Sequence, residues 1–243
     1  MSSEQEFLDG YHPGHYPAVA VTVDLVVFAV ARGVLHTVLI QRGAHPFKGI
    51  PALPGGFLRP DEDTLIGARR ELREETSLVV PDSAHIEQLA TYSAPDRDPR
   101  MRVISVAHLV LLPTDGTTLP ALAAGSDAAA TGWHPVHDAL DRHLAFDHAT
   151  ILRDGLERLS GKMEYTTFAA RLLPDEFTMS QLRTVYEAVW NTTLAAGNFT
   201  RKMMPQLEDT GRKARASTGG APAALFIADD RHIHPPLARP RGL

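Results

Sequence analysis

Three glutamates, Glu71, Glu74 and Glu75, fall in one proline-free run of the chain, inside residues 56–78, which read GFLRPDEDTLIGARRELREETSL. Positions three and four apart share a helix face, so a helix here would point the three carboxylates the same way. Like charges at that spacing cost about a few tenths of a kcal/mol per pair. A solvated acidic face is the ordinary explanation of such a run. It fits poorly here, because the charges are stacked on one face and the stretch is introduced by Leu53-Pro54-Gly55-Gly56. Hard oxygen ligands are what Mg²⁺ or Mn²⁺ requires, and a diphosphate brings such a metal with it.

Two further stretches carry groups suited to anions. Residues 94–100 hold Arg97 and Arg100 between two strand-like segments. They read either as a solvated turn or as a fork of donors facing a phosphate. Near the C-terminal end, Asn198, Thr200, Arg201 and Lys202 open a short helical segment, and Arg212, Lys213 and Arg215 stand in a basic, glycine-rich stretch. Each of these cations also has a plain reading as solvated surface charge.

The elements that must position these groups follow from composition and pattern. With 243 residues, 44% apolar and 22% charged, the chain is long enough for one large domain or two small ones with a proper core. It has no cysteine, so a disulfide framework is excluded. No signal peptide is visible at MSSEQEFLDG and no apolar run reaches a membrane span, so the chain is read as soluble and cytoplasmic. The net charge of −5 is uneven: residues 178–243 hold nine Lys/Arg against five acids, a net of +4, which leaves −9 on the rest. An acidic body with a basic end segment suggests two jobs and a polyanionic partner for the second.

Residues 1–16 are polar and are expected to form a flexible arm. Residues 19–30, VAVTVDLVVFAV, have the composition of a buried strand, and residues 34–41 its hairpin partner. The glutamate helix is expected over about residues 63–76, burying Leu65, Ile66, Ala68 and Leu72. Strands are expected at 87–93, 102–112 and 132–136, and a helix capped by Asp147 runs on to Ser160. The domain break is placed at residues 161–165. Beyond it, Thr178 and Gln181 fit a capping box, and Leu182, Val185, Tyr186 and Val189 form an apolar helical face. A second short helix follows, limited by Pro205, then a hairpin with a basic tip returning through residues 223–227. Together these read as a winged helix-turn-helix, with Asn198, Thr200, Arg201 and Lys202 on the recognition helix and Arg212, Lys213 and Arg215 on the wing. Residues 230–243 are Pro-rich and expected to be disordered.

The glutamate stretch resembles the Nudix box, with Gly56, Glu62, Arg70, Glu71, Leu72, Glu74, Glu75 and Leu78 in place and Ser77 where the pattern has its last glycine. The resemblance implies an α/β sandwich, a mixed sheet between helices, over residues 17–162. It implies Glu71 and Glu75 as metal ligands, Glu74 and Glu75 as the catalytic pair if the site is active, and Glu62 with Arg70 as an internal ion pair. Gly55, Gly56, Arg97 and Arg100 would then contact the ligand. Pyrophosphatases of this family often draw a further carboxylate from the loop matching residues 113–131, which here offers only Asp115 and Asp127. With a winged helix over residues 163–229, the chain resembles the NrtR-type Nudix-related transcriptional regulators, on the box, on LAFDH at residues 144–148 and on residues 175–203. That likeness implies a homodimer on palindromic operator DNA, a role as repressor of NAD biosynthesis or salvage genes, and ADP-ribose as the effector that releases the DNA. The alternative it leaves open is an ADP-ribose pyrophosphatase with a basic accessory domain.

Overall fold

Ala20–Ala31 (β1) is apolar on both faces because both faces are covered. Val23, Leu25, Val27 and Ala29 point into one core layer, and Val26, Phe28 and Val30 into the other. A strand buried on both sides loses the alternation that a half-exposed strand shows. The computed structural model describes residues 3–125, 128–214, 222–229 and 232–240.

β1 turns at Arg32-Gly33, both at positive φ, into the antiparallel Val34–Arg42 (β2). Consecutive positive φ values make the tight turn whose twist suits a hairpin, and Gly33 adopts its φ of 73° without a Cβ penalty. Pro51–Ala52 (β3) extends the sheet beyond β2, and Gly55–Phe57 (β4) pairs with the start of β1. After Thr64–Thr76 (α2) come His85–Tyr92 (β5) and Val103–Leu111 (β6). β6 runs parallel to β1, from Ala20 opposite Val103 to Phe28 opposite Leu111, and β5 is antiparallel to β6. Ala128–Pro135 (β7) pairs with β2. The seven-stranded sheet is therefore mixed.

α2 covers one face. Ala68 and Leu72 pack on the sheet, whereas Leu65 and Ile66 are 41% and 55% exposed, contrary to the expectation that all four are buried. Ile66 lies two residues from Ala68, hence across the helix axis, and Leu65 sits in the first turn. The other face is covered by His148–Tyr165 (α4), after the short Val136–Leu140 (α3). A Cβ at Gly155 would stand 2.8 Å from Val26 Cγ1, so glycine lets α4 lie close on β1. α4 runs unbroken to Tyr165, through the residues expected to hold the domain break.

A 3₁₀ segment, Thr167–Leu172, leads to Phe177–Thr178 (β8), Met179–Trp190 (α5), Ala196–Met203 (α6), Glu208–Lys213 (β9) and Ala224–Ile227 (β10). The strands form a three-stranded sheet in the order β8-β10-β9 beside the helix pair, which is a winged helix-turn-helix. The capping box forms as expected, with Thr178 and Gln181 exchanging side-chain and backbone bonds. Leu182, Val185, Tyr186 and Val189 are buried, and their cluster is continuous with the α4 side of the main sheet.

Both ends of the chain differ from expectation. The N-terminal arm holds a helix, Ser3–Asp9 (α1), with no buried residue. The segment expected to be disordered packs instead on α4 over residues 232–240. Ile233 is fully buried, the N–H groups of Ile233 and Leu237 donate to the carbonyls of Tyr165 and Glu164, and Arg239 forks onto Glu157. One apolar anchor and the unpaired last carbonyls of α4 supply partners that a Pro-rich composition does not advertise. Among the described residues no helix is long and apolar enough to cross a membrane.

Candidate functional site

α2 begins at an N-cap, Asp63, whose side chain accepts from the N–H of Ile66, and ends at Ser77 in the left-handed region at φ 59°. Between them Arg70, 9% exposed, gathers the acids of the segment. Its Nε donates to Glu62 Oε2 at 2.9 Å and Nη2 donates to Glu62 Oε1, the internal ion pair expected from the sequence. Nη1 also donates to Glu71 at 2.6 Å and to Glu74 at 3.0 Å. The Arg70 hydrogen bonds hold the Glu62 carboxyl down at about 2.

The three glutamates therefore have different surroundings. Glu74 is exposed and shared between Arg59 and Arg70. Glu71 lies against Gly56, where a Cβ would come within 2.6 Å of its carboxyl, and burial raises its pKa against the pull of Arg70. Glu75 Oε2 accepts the Gly55 N–H at 2.8 Å, and burial pushes the group up to about 8, with Glu71 and Asp24 adding like charge. Of the three, only Glu75 lines the cavity above β1. Among the described residues no three His, Asp or Glu side chains stand together as a ready metal cage. The donor set still fits a Mg²⁺-like ion, which commonly takes one or two carboxylates and fills its shell with water and phosphate oxygens. A half-buried Glu71 and a buried Glu75, both with raised proton affinity, are groups that such a charge would relieve.

The cavity, about 520 Å³, is bounded by Gly55, Gly56 and Phe57, by Glu75, by Arg42, Arg97 and Arg100, and by Phe146 and His148. That volume is in the range of small-ligand sites. The four expected ligand residues, Gly55, Gly56, Arg97 and Arg100, thus share one space. Arg100 forks onto Asp98 and stands over the ring of Phe57 at 5.2 Å, and Arg42 stands over Phe146 at 4.8 Å. Phe146 sits at φ 53°, a costly conformation for a bulky residue outside a turn glycine.

Beneath the cavity is a polar network that the sequence reading did not single out. Asp24, 5% exposed in the middle of β1, accepts from Ser105 and from Arg97, and lies 3.4 Å from His148 Nε2. Leu53 N–H donates to His148 Nδ1 at 2.9 Å, which leaves the ring proton on Nε2 facing Asp24. Burial lowers the His148 pKa, in keeping with a ring that accepts a hydrogen bond at Nδ1. Asp147 makes no capping bond to α4. Its two oxygens take Arg97 Nε at 2.9 Å and Nη2 at 2.6 Å instead. The signal for Asp24 was present in the sequence: a lone acid inside an apolar strand has to be paired.

The acid-poor loop behaves differently from a source of catalytic carboxylate. Asp115 closes a turn onto the N–H groups of Thr117 and Thr118 and does not line the cavity, and Asp127 lies outside the described residues. The loop instead crosses the end of α2, where Ala123 and Gly125 donate to the carbonyls of Thr76 and Glu75. A Cβ at Gly125 would collide with the carbonyl oxygen of Glu74.

On the winged helix, α6 buries Phe199 and Met203 and turns Asn198 and Arg201 to solvent, with Thr200 and Lys202 half-buried. Arg201 is braced by Asn198 Oδ1 at 2.8 Å. Arg212 and Lys213 are exposed on β9, with Arg212 paired to Glu176. Arg215, the third wing cation, lies outside the described residues.

Comparison with known proteins matches residues 20–155 to the NUDIX domain and residues 169–227 to the NrtR DNA-binding winged helix domain. The ADPR responsive transcriptional repressor NtrR of Acinetobacter baylyi is 34% identical over 230 residues, 93% of this chain and 88% of the relative. The chain belongs to the NrtR family of Nudix-related transcriptional regulators. Shewanella oneidensis NrtR in complex with a 27mer DNA superposes with a TM-score of 0.74 at 31% identity, covering 90% of this chain and 99% of that one. The NUDIX domain of the same Shewanella protein, complexed with ADP ribose, gives 0.59 at 34% identity over 65% of this chain and 99% of that one. The cavity and the exposed face of α6 lie in separate parts of the fold, and α4 packs against both β1 and α5.

Proposed function

We propose that this protein is a transcriptional repressor whose operator affinity is lowered when ADP-ribose, or a related NAD-derived nucleotide, fills the Nudix cavity. The observation that carries this reading is the cavity itself: three arginines, Arg42, Arg97 and Arg100, with Glu75 and Phe146, around about 520 Å³ in a chain that also presents a winged helix. Guanidinium forks suit a diphosphate, and an aromatic face suits a base. NAD biosynthesis or salvage genes are the targets that fit such an effector. A homodimer on a palindromic operator fits the helix-turn-helix, whose half-sites are spaced by a helical turn. Asn198, Thr200, Arg201 and Lys202 would meet the major groove, and Arg212, Lys213 and Arg215 the backbone. Mg²⁺ or Mn²⁺ would be held through Glu71 and Glu75 beside the ligand's phosphates. The test is a gel shift with DNA from upstream of the protein's own gene, with and without ADP-ribose. Release of the DNA is expected, and unchanged affinity at saturating nucleotide overturns the reading.

The retained Glu71, Glu74 and Glu75 favour a second reading, an ADP-ribose pyrophosphatase. Against it stands the engagement of Asp115 in a turn away from the cavity. AMP release from ADP-ribose with Mg²⁺, abolished by Glu75→Gln, would support the enzyme.

A further inference from the structure

α4 joins the cavity to the winged helix through named bonds at both of its ends. At the first end, Asp147 holds the fork of Arg97, and His148 accepts the N–H of Leu53 in the loop that leads to Gly55 and Gly56. At the other end, Tyr186 Oη donates to the carbonyl of Met163 at 3.1 Å and Trp190 Nε1 donates to that of Ser160 at 3.3 Å. Both donors belong to α5, and the Tyr186 ring packs edge-on against Phe199 of α6, with centroids 5.2 Å apart. Tyr186 is fully buried and Phe199 nearly so. The helix that carries Asn198 and Arg201 is thus seated on side chains anchored to α4.

We propose that Asp147 is the coupling residue: an anionic ligand group in the cavity takes Arg97 from Asp147, and the loss of that anchor lets α4 shift the winged helix. The inference rests on the effector reading above and names its regulation. A guanidinium fork accepts a carboxylate or a phosphate with the same geometry. Arg97 lines the cavity, so a ligand phosphate and Asp147 compete for one fork. Once released, the Asp147 carboxylate stands at the first turn of α4, whose His148, Thr150 and Ile151 N–H groups already donate to the carbonyls of Ala145 and Asp147, so it gains no capping bond to these three in exchange for Arg97. The Leu53–His148 bond, with His148 Nε2 facing Asp24, then still holds that end of the helix and serves as a pivot.

The test measures operator affinity by fluorescence anisotropy with and without saturating ADP-ribose, and ADP-ribose affinity by calorimetry, for full-length wild type, Asp147→Asn, Asp147→Glu and Tyr186→Phe. A wild-type response of about 5–150-fold is the normal size of such coupling. Asp147→Asn is expected to bind ADP-ribose at least as tightly as wild type while its response falls below about threefold. Asp147→Glu restores the charge and is expected to recover a graded response. Tyr186→Phe, far from the cavity, is expected to keep ADP-ribose affinity and lose part of the response. Wild-type responses in Asp147→Asn and Tyr186→Phe overturn the inference and leave the effector reading intact. Loss of ADP-ribose binding in Asp147→Asn also overturns it, because Asp147 would then be a binding residue. A wild type that binds ADP-ribose without any change in operator affinity overturns the effector reading, and the inference falls with it.

Discussion

Arg70 is the residue on which the acidic segment depends. It satisfies Glu62, Glu71 and Glu74 at once from a site that is 9% exposed. Arg70→Met should lower the urea midpoint, because Glu62 and Glu71 lose their guanidinium partner. Glu75 predicts a pH effect of definite sign. Its pKa rises from 4.5 to about 8 on folding, so the unfolded chain releases this proton first as pH increases. The stability it contributes is full below about pH 4.5 and is lost as pH rises through about 8, by an amount on the order of a few kcal/mol. Melting temperature should fall between pH 5 and 8.5 in wild type and fall less in Glu75→Gln. Added Mg²⁺ at pH 8 should restore stability to wild type more than to the variant. The Glu62–Arg70 pair was legible in the sequence because the resemblance to the Nudix box implies it. The partner of Asp24 and that of Asp147 were not, because Arg97 lies 73 and 50 residues away from them. Asp147 sat where an N-cap belongs, and nothing local says that its carboxylate turns away from its helix.

At the scale of elements, the capping box of α5 was the most readable feature and lengths the least. Thr178 and Gln181 announced the start of α5, and Thr178→Ala should cost about 1 kcal/mol in thermal unfolding. Ser77 ends α2 at φ 59°, where glycine has no Cβ penalty. Ser77→Gly should therefore stabilise the protein by about 0.5–1 kcal/mol, less what is lost with the exposed Ser77–Ala123 hydrogen bond. A fall in stability would show that this bond outweighs the backbone strain. α4 was expected to stop at Ser160 but continues to Tyr165, because Trp190, Tyr186 and the C-terminal segment supply partners for its last carbonyls. β7 begins at Ala128, in an Ala-rich stretch of low strand propensity, because pairing with β2 overrides local preference.

For the whole molecule, the two-domain order was visible in charge and periodicity, while the join was not. One buried cluster runs from Val26 and Phe28 in β1, through Ile151 and Leu159 in α4, to Tyr186 and Phe199. Ile233 belongs to that cluster, so the C-terminal segment is packed into the same core as α4. Removing residues 232–243, or the single change Ile233→Asp, should lower the melting temperature and expose the end of α4 to limited proteolysis. Equal protease resistance would show that the segment is dispensable. If Arg201 meets a phosphate, Arg201→Ala should reduce the slope of log affinity against log salt by about 1 and weaken all DNA sequences alike, whereas a base contact would relax specificity at one position.

Gly125 sets the terms on which this scaffold could acquire a new acid. Its Cα lies so near the carbonyl oxygen of Glu74 that no side chain fits there, and its own N–H is taken by Glu75. A designer wishing to bring a carboxylate over the end of α2 finds that position closed to any single-codon change. The segment would have to be lengthened first, so the practical unit of redesign here is an insertion rather than a substitution.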